Sequence, residues 1–343
     1  MRHYRMTDNR IDERIHKLVR DAGSFPDAEL LEEMVVTALK IGEDGFDRGD
    51  IRLINTAMKE LRYAFKVFYP YRHVRKVAIF GSARIPKKSE EYRQARDFAK
   101  RIVSEGWMVI TGAASGVMHA GNEGAGRENS FGVNIRLPFE QEANPFIDGD
   151  PKLINFKYFF TRKLIFVSES DATILCPGGF GTFDEGFETL TLVQTGKTDP
   201  RPVVCLDSPR SKFWSSWKKN LELHLARTEM IDPEDMKLMK FTHSAEEAVR
   251  IICHFYSNYH SLRYIRDQLV IRMKKPLSKT KLEQLNRDFE DILTKGKIVQ
   301  VHEPFQEEAN DTHTHHLTRL VCYFDRRHFS RLNQLVIAVN EVE

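Results

Sequence analysis

The sequence has no apolar run that approaches the ~18 residues needed to cross a bilayer. It also has no concentrated basic block. Its 52 lysines and arginines are interleaved with 49 acidic residues, which gives a formal net charge of +3. These absences argue against a membrane protein and against a nucleic-acid-binding protein, which would more often carry a basic face.

Cysteine is scarce, and the few cysteines lie far apart in apolar surroundings without a C-x-x-C pair: Cys176, Cys205, Cys253 and Cys322. This pattern is typical of core thiols in a reducing compartment. Residues 1–20 alternate charged and polar side chains and lack the apolar stretch of a signal peptide. We therefore expect a soluble cytoplasmic protein.

Two common nucleotide-binding motifs are incomplete in this chain. Gly179-x-Gly181 is followed by Asp184 where the dinucleotide fingerprint has its third glycine, so NAD binding is not expected. Gly196-Lys197-Thr198 resembles the end of a Walker A loop, but Thr191 occupies its leading glycine position. We interpret that stretch as the end of a helix, so neither a kinase nor an ATPase is indicated.

The most informative segment that is present runs from Pro177 to Glu185, with the sequence PGGFGTFDE. It follows an apolar run, 172–176, which predicts a buried parallel strand, and it opens a predicted helix over 182–194. Strand, glycine-rich turn and helix start together form a phosphate cradle, because free backbone N–H groups and the helix dipole favour an anion there. Thr182 adds a hydroxyl donor, and Glu185 places a carboxylate beside whatever the phosphate carries.

Three regions of the chain differ in pattern. Residues 1–75 predict a helical segment, whose wide apolar stripe must pack on something, so we expect a homodimer or larger homo-oligomer. Residues 76–260 alternate short apolar strands with helices, which predicts an α/β domain with a doubly wound parallel (Rossmann-like) sheet. Residues 261–343 predict the order β-α-β-β-α, which suggests a small α+β, ferredoxin-like module.

Two further turns and one charged pair complete the predicted site. The turns at 81–84 and 111–116 follow the first two strands of the predicted sheet, so they should lie beside the 177–185 loop at one sheet edge. Arg162 and Lys163 would ordinarily indicate a solvated face. Here apolar residues flank them on both sides, and a largely buried helix keeps a guanidinium mainly where an anion or carboxylate meets it.

These residues resemble the Lonely Guy (LOG) family of nucleotide phosphoribohydrolases, through Gly81-Ser82, the segment from Gly112 to Met118, Arg162-Lys163 and the PGGxGTxxE motif at 177–185. The resemblance covers residues 75–255, and the flanking additions resemble those of larger bacterial nucleotide 5′-monophosphate nucleosidases. It implies hydrolysis of a nucleoside 5′-monophosphate such as AMP to free base and ribose 5-phosphate, with no cofactor. It implies that Arg162 and Glu185 are catalytic. The expected substrate- and phosphate-binding residues are Gly81, Ser82, Gly112, Gly116, Lys163, Gly178, Gly179, Gly181 and Thr182.

The chemistry is compatible with that resemblance. Cleavage of an N-glycosidic bond develops positive charge on the ribose ring, and no metal is required. We hypothesise that Glu185 contacts the ribose, stabilises that charge and helps orient or deprotonate the water. Arg162 would hold the Glu185 carboxylate ionised and in place, or contact the side of the departing base. Asp184 is expected mainly to favour the helix N-terminus.

Several alternatives stay open at this point. The chain could be a non-catalytic nucleotide sensor. A weaker alternative is that it binds single-stranded DNA with the related fold of DNA-processing protein A, but its near-neutral charge argues against this. His119 and Asn122 could line the pocket or belong to the core. The topology of the C-terminal module suggests a nucleotide effector site. A histidine cluster there fits a solvated loop better than a metal site: His302, His313, His315 and His316.

Overall fold

The computed structural model describes residues 4–136 and 143–341. The chain divides into two compact units after Tyr63. The boundaries predicted after residues 75 and 260 stay predictions, and the outermost residues of those regions, 1–3 and 342–343, lie outside the described residues. Within the described ranges no helix is long and apolar enough to span a membrane.

The described residues of the first unit form helices: α1 (Asn9–Ala22), α2 (Ala28–Glu43) and α3 (Arg48–Phe68), the last of which continues past Tyr63. Ile15 of α1 and Val36 of α2 belong to one small buried cluster. α2 and α3 confirm the predicted helices, whereas α1 was not predicted because charged residues dominate its sequence. Several apolar side chains of α2 stay exposed: Leu30, Leu31, Met34 and Leu39.

The second unit is built on a parallel sheet with the order β4-β3-β2-β1-β5-β6-β7, as the alternating pattern predicts. Its strands are β1 (Lys76–Phe80), β2 (Met108–Thr111), β3 (Ser130–Ile135), β4 (Leu153–Phe156), β5 (Ala172–Leu175), β6 (Val203–Leu206) and β7 (Met239–Thr242). The central strands are buried on both faces, which is why they are continuous apolar runs. The edge strands β4 and β7 bury only part of their residues, and the sequence analysis missed both.

Helices connect these strands: α4 (Glu90–Ser104), α5 (Val117–Ala125), α6 (Phe159–Ser168), α7 (Phe180–Gln194), α8 (Phe213–Leu221) and α9 (Ala245–Phe255). Ser89 and Ser244 cap α4 and α9, each accepting a hydrogen bond from a backbone N–H of the first turn. α7 ends before Gly196, so the stretch that resembles a Walker A loop follows a helix end, as predicted. Strand order reverses between β1 and β5, which is where a doubly wound sheet opens a ligand cleft.

The rest of the unit is an antiparallel sheet with the order β10-β11-β9-β8 and two helices. Its elements are β8 (Tyr259–Ile265), β9 (Gln268–Met273), α10 (Lys279–Asp288), β10 (Leu293–Val301), β11 (Thr318–Phe324) and α11 (Phe329–Asn340). The α+β class is confirmed. The predicted order β-α-β-β-α runs from β9 to α11, and the unpredicted strand β8 precedes it at the edge beside β9, so the full order is β-β-α-β-β-α. β8 escaped prediction because His260, Ser261 and Arg263 interrupt its apolar residues.

Candidate active site

A cleft of about 810 Å³ opens at the carboxyl ends of the central strands. It brings together most of the predicted site residues: Gly81, Ser82, Gly112, Arg162, Gly179, Gly181, Thr182 and Glu185. Gly116 and Gly178 do not line the cleft but support the loops that do. Placement at one sheet edge follows from the strand order, since β1, β2 and β5 are neighbours. The functional roles of these residues stay predictions.

The loop from Pro177 to Thr182 leaves backbone amides open to the cleft. α7 starts at Phe180, and no side chain caps its first turn. The amides of Thr182 and Phe183 donate to the Gly179 carbonyl at 3.0 and 3.2 Å, and the preceding N–H groups of Phe180 and Gly181 are available to an anion. Gly178 is required by a close approach, because a Cβ there would lie 2.1 Å from Oγ1 of Thr182. The loop is thus closed tightly on itself while its amide face stays accessible.

The turn after β1 is fastened to this loop and to the start of α5. The Ser82 amide donates to the Pro177 carbonyl at 3.1 Å, and the Val117 amide donates to the Ser82 carbonyl at 3.1 Å. Gly116 has a φ of +63°, and a Cβ on it would lie 2.2 Å from the Ser82 oxygen. Only glycine fits there without moving the turn. Gly116 therefore supports the cleft without lining it.

Arg162 of α6 meets Glu185 of α7 in the cleft, with Nη2 of Arg162 3.3 Å from Oε1 of Glu185. Glu185 is only 4% exposed. The Arg162 guanidinium carbon lies 5.0 Å from the ring centroid of Phe159 and 5.7 Å from that of Phe166, so aromatic faces also hold it. The predicted buried arginine on this helix therefore has a carboxylate partner.

Burial raises the pKa of Glu185 to about 7, although the positive charges of Arg162 and Lys163 lower it. Desolvation outweighs the two cations, so the carboxyl is only partly ionised near neutral pH. The hypothesis that Arg162 holds the Glu185 carboxylate ionised and in place stays a prediction, and Arg162 is one of the two cations that lower this pKa. A carboxyl group with a pKa near the working pH is suited to accepting and returning a proton.

Lys163 does not line the cleft. Its ammonium group lies 2.8 Å from Oδ1 of Asp184 and 3.0 Å from Oε2 of Glu188, so it joins α6 to α7. Asp184 and Glu188 are one turn apart on the same face of α7. This arrangement favours a positioning role for Lys163 over the predicted phosphate contact, and Asp184 serves as its partner.

Several cleft residues were not identified from the sequence. Trp217 projects from α8, an element that was not predicted, and its ring centroid lies 4.3 Å from that of Phe183. Asn134 is the penultimate residue of β3 and donates from Nδ2 to Oδ1 of Asn155 at 3.0 Å. The aromatic run Phe213-Trp214-Ser-Ser-Trp217 was the signal that would have indicated α8. Such aromatic faces provide a stacking surface for a planar base.

His119 and Asn122, which could line the pocket or belong to the core, both lie outside the cleft lining. His119 is buried beside Phe146, outside the cleft lining. Asn122 is fully buried, and its Oδ1 accepts from Thr111 at 2.8 Å and from Asn144 at 2.9 Å. Both therefore belong to the core. In the part of the chain that the structure describes, no group of three or more His, Cys, Asp or Glu side chains could hold a metal ion.

Comparison with known proteins matches the same part of the chain. A family model described as "Possible lysine decarboxylase" matches residues 110–252. A cytokinin riboside 5′-monophosphate phosphoribohydrolase from Mycobacterium tuberculosis (strain ATCC 25618 / H37Rv) is 27% identical over 180 residues, which are 51% of this chain and 91% of that protein.

Solved structures also resemble part of the chain. A molybdenum cofactor binding protein from Rippkaea orientalis is 20% identical, covers 52% of this chain and 94% of its own, and has a TM-score of 0.37. DNA processing protein A from Streptococcus pneumoniae is 12% identical and has a TM-score of 0.38, and the match covers 69% of this chain and 86% of that protein. Likenesses this distant do not bear on function. The family model and the mycobacterial relative match the part of the chain that holds the motif at 177–185, which confirms the resemblance to the LOG family.

Proposed function

We propose that the chain hydrolyses the N-glycosidic bond of nucleoside 5′-monophosphates, such as AMP, to free base and ribose 5-phosphate. The observation that carries this proposal is the position of Glu185, which contacts Arg162 one turn after the amides of the phosphate loop. The resemblance to the LOG family and the phosphoribohydrolase activity that names the mycobacterial relative support the same reaction class.

In this proposal the 5′-phosphate binds the amides of residues 179–181 and the Thr182 hydroxyl at the start of α7. Binding energy at the phosphate then fixes the ribose over Glu185, which lies three residues further along the helix from Thr182. A phosphate at a helix N-terminus is stabilised by orphan N–H groups and by the helix dipole. The phosphate thus acts as a remote anchor for the reacting sugar carbon.

Glu185 is proposed to act on the sugar and the attacking water. Charge that develops on the ribose as the C1′–N bond breaks is stabilised by the ionised form of Glu185. The C1′–N bond breaks and the base nitrogen takes up a proton from bulk water, while the attacking water bonds to C1′ and gives its proton to Glu185, which later returns that proton to solvent. A pKa of about 7 lets Glu185 hold this proton and release it again. Arg162 positions the carboxylate at the site of reaction.

The base is proposed to lie against aromatic side chains of the cleft. Trp217, Phe183 and Phe159 line it, and each offers a planar face for stacking. The name of the family model suggests decarboxylation of lysine, a reaction usually carried by a lysine Schiff base with pyridoxal phosphate. None of the described residues that line this cleft is a lysine. This favours glycosidic hydrolysis.

The deciding experiment incubates the protein with AMP, GMP, CMP, UMP and IMP and measures free base by chromatography. We expect base release that Glu185→Gln abolishes. Asp184→Asn is the matched control, because its side chain is exposed, lies next in sequence and does not line the cleft. It should keep most of the activity. Tight nucleotide binding without any base release would favour the alternative, a non-catalytic nucleotide sensor, which needs the phosphate loop but not the Arg162–Glu185 pair.

We also propose that the chain forms a homodimer or larger homo-oligomer, supported by the exposed apolar side chains of α2. Light scattering after size-exclusion chromatography tests this proposal, and a monomer at micromolar concentration would contradict it. The four cysteines carry free thiols, which supports our placing the reaction in the reducing cytoplasm.

A nucleotide effector site is proposed at a second cleft of about 840 Å³. Arg75 and Arg201, which precede β1 and β6, line it, and β8 contributes His260. Leu164 of α6 and Glu188 of α7 also line it, so this cleft shares two helices with the proposed active site. Titration with ATP and GTP should change the rate of base release. Unchanged rates at millimolar nucleotide would remove the proposal.

A further inference from the structure

We infer that Arg84 binds the 5′-phosphate of the substrate together with the α7 amides and supplies the positive charge that the phosphate loop lacks. This inference rests on the proposed hydrolysis, because it assumes that a phosphate occupies the loop at 178–182. Arg84 was passed over in the sequence analysis, where it was only the end of a glycine-containing turn. It lines the cleft together with Gly179, Gly181 and Thr182.

The backbone before Arg84 is held in place at several points. The Ser82 amide donates to the Pro177 carbonyl, and the Val117 amide donates to the Ser82 carbonyl, each at 3.1 Å. Oγ of Ser115 donates to the Ala83 carbonyl at 2.8 Å, and the Arg84 amide donates to Oγ of Ser82 at 3.1 Å. The turn thus forms one rigid unit with the phosphate loop.

The same contacts bring Arg84 within reach of a bound phosphate. A Cβ on Gly178 would lie 3.0 Å from the Ser82 amide nitrogen, so the two loops are in van der Waals contact. The Cα of Arg84 can lie no more than about 7.6 Å from the Cα of Ser82. An extended arginine side chain is about as long as this distance, so the guanidinium group can reach back to the phosphate loop. The backbone of Arg84 is therefore held in place, and its exposed side chain can adopt different rotamers.

Without Arg84, the cleft would lack a full positive charge to compensate a bound phosphate. Among the described residues that line it, the charged side chains are Arg84, Arg162 and Glu185. Arg162 is engaged with Glu185. A phosphomonoester carries close to two negative charges at neutral pH, and helix amides supply only partial positive charge. Arg84 is the remaining full positive charge in this described lining.

The side chain of Arg84 is available for such a contact. It is exposed, and no ion pair or side-chain hydrogen bond joins its guanidinium to another group within residues 4–136 and 143–341. A guanidinium presents paired N–H donors that match two phosphate oxygens, which an ammonium group does not. Arg84 should therefore favour phosphorylated ligands over the corresponding nucleosides.

The test measures binding of ribose 5-phosphate and of adenosine by calorimetry, independently of turnover. In Arg84→Ala, affinity for ribose 5-phosphate should fall about 10- to 100-fold, the usual worth of a charge-assisted hydrogen bond. Adenosine affinity should not change. Arg84→Lys should recover part of the loss. Lys87→Ala is the matched control, since Lys87 is an exposed cation three residues away that does not line the cleft, and it should bind like wild type.

Two results would overturn the inference: wild-type affinity of Arg84→Ala for ribose 5-phosphate, or an equal loss in Lys87→Ala. If Arg84→Ala fails to give a folded protein by circular dichroism, Arg84→Gln provides the same comparison. The inference fails separately from the proposed function. Loss of phosphate affinity in a protein that releases no base would support the role of Arg84 and reject hydrolysis, whereas normal affinity in an active enzyme would do the reverse.

Discussion

Replacing Glu185 by glutamine should alter the pH dependence of stability as well as abolish activity. Burial raises the pKa of this carboxyl group from its ordinary value of 4.5 to about 7. The folded state therefore resists its ionisation more than the unfolded chain does. The stability that this group contributes is fully present below pH 4.5 and is lost as the pH rises through 7.

The magnitude follows from the size of that pKa change. Each pH unit between the two pKa values costs about 1.4 kcal/mol, so a rise from 4.5 to about 7 corresponds to about 3 kcal/mol. Glutamine resembles the protonated carboxyl group and does not titrate. Between pH 4.5 and pH 8 the wild type should therefore lose about 3 kcal/mol of unfolding free energy that Glu185→Gln does not lose. The unfolding free energy of the variant minus that of the wild type should rise by this amount.

Urea unfolding of both proteins at several pH values measures this difference. Trp214 and Trp217 report on the right region, because both pack against Phe183 of α7. Other titrating groups are common to the two proteins and largely cancel in the comparison. A difference in unfolding free energy that stays constant from pH 4.5 to pH 8 would refute the claim that Glu185 is held with a raised pKa.

Three further substitutions test other parts of the account. Gly116→Ala should destabilise the protein by about 2–4 kcal/mol in urea unfolding, because its Cβ would meet the Ser82 carbonyl. Gly126→Ala, which also has a positive φ but open space around it, should cost only about 1–2 kcal/mol, and equal losses would remove the steric argument. Glu308→Ala should cost about 3–5 kcal/mol, since the buried Arg319 and Arg272 would lose their carboxylate. Glu307→Ala, whose partner Arg266 is exposed, should cost less than about 1 kcal/mol, and a similar cost for both would contradict the role of burial. Trp217→Ala should weaken AMP binding about 10-fold through lost stacking while leaving ribose 5-phosphate affinity unchanged, and calorimetry showing equal losses would place the base elsewhere.

The parallel sheet and its glycine-rich turns were predictable because their physical causes are local. A strand buried on both faces must be a continuous apolar run, as in β1 and β5. The turns that follow those strands meet at one sheet edge whenever the strands are neighbours. The motif at 177–185 was therefore sufficient to predict where in the sheet the cleft lies.

What escaped prediction depends on tertiary neighbours. The edge strand β4 is only partly buried, so its sequence lacks a continuous apolar signal. Strand β8 is interrupted by polar residues, so the sequence did not indicate this additional edge strand. The ion pairs of Lys163 with Asp184 and Glu188 join two helices across more than twenty residues of sequence. The pKa of Glu185 likewise depends on burial by surrounding elements, which no motif encodes.

The most direct test is a crystal structure of the Glu185→Gln variant with AMP bound, since this variant should hold the substrate uncleaved. We predict the phosphate on the amides of residues 179–181 and C1′ of the ribose in contact with the side chain at position 185. A phosphate bound in the second cleft, or a ribose turned away from position 185, would contradict it.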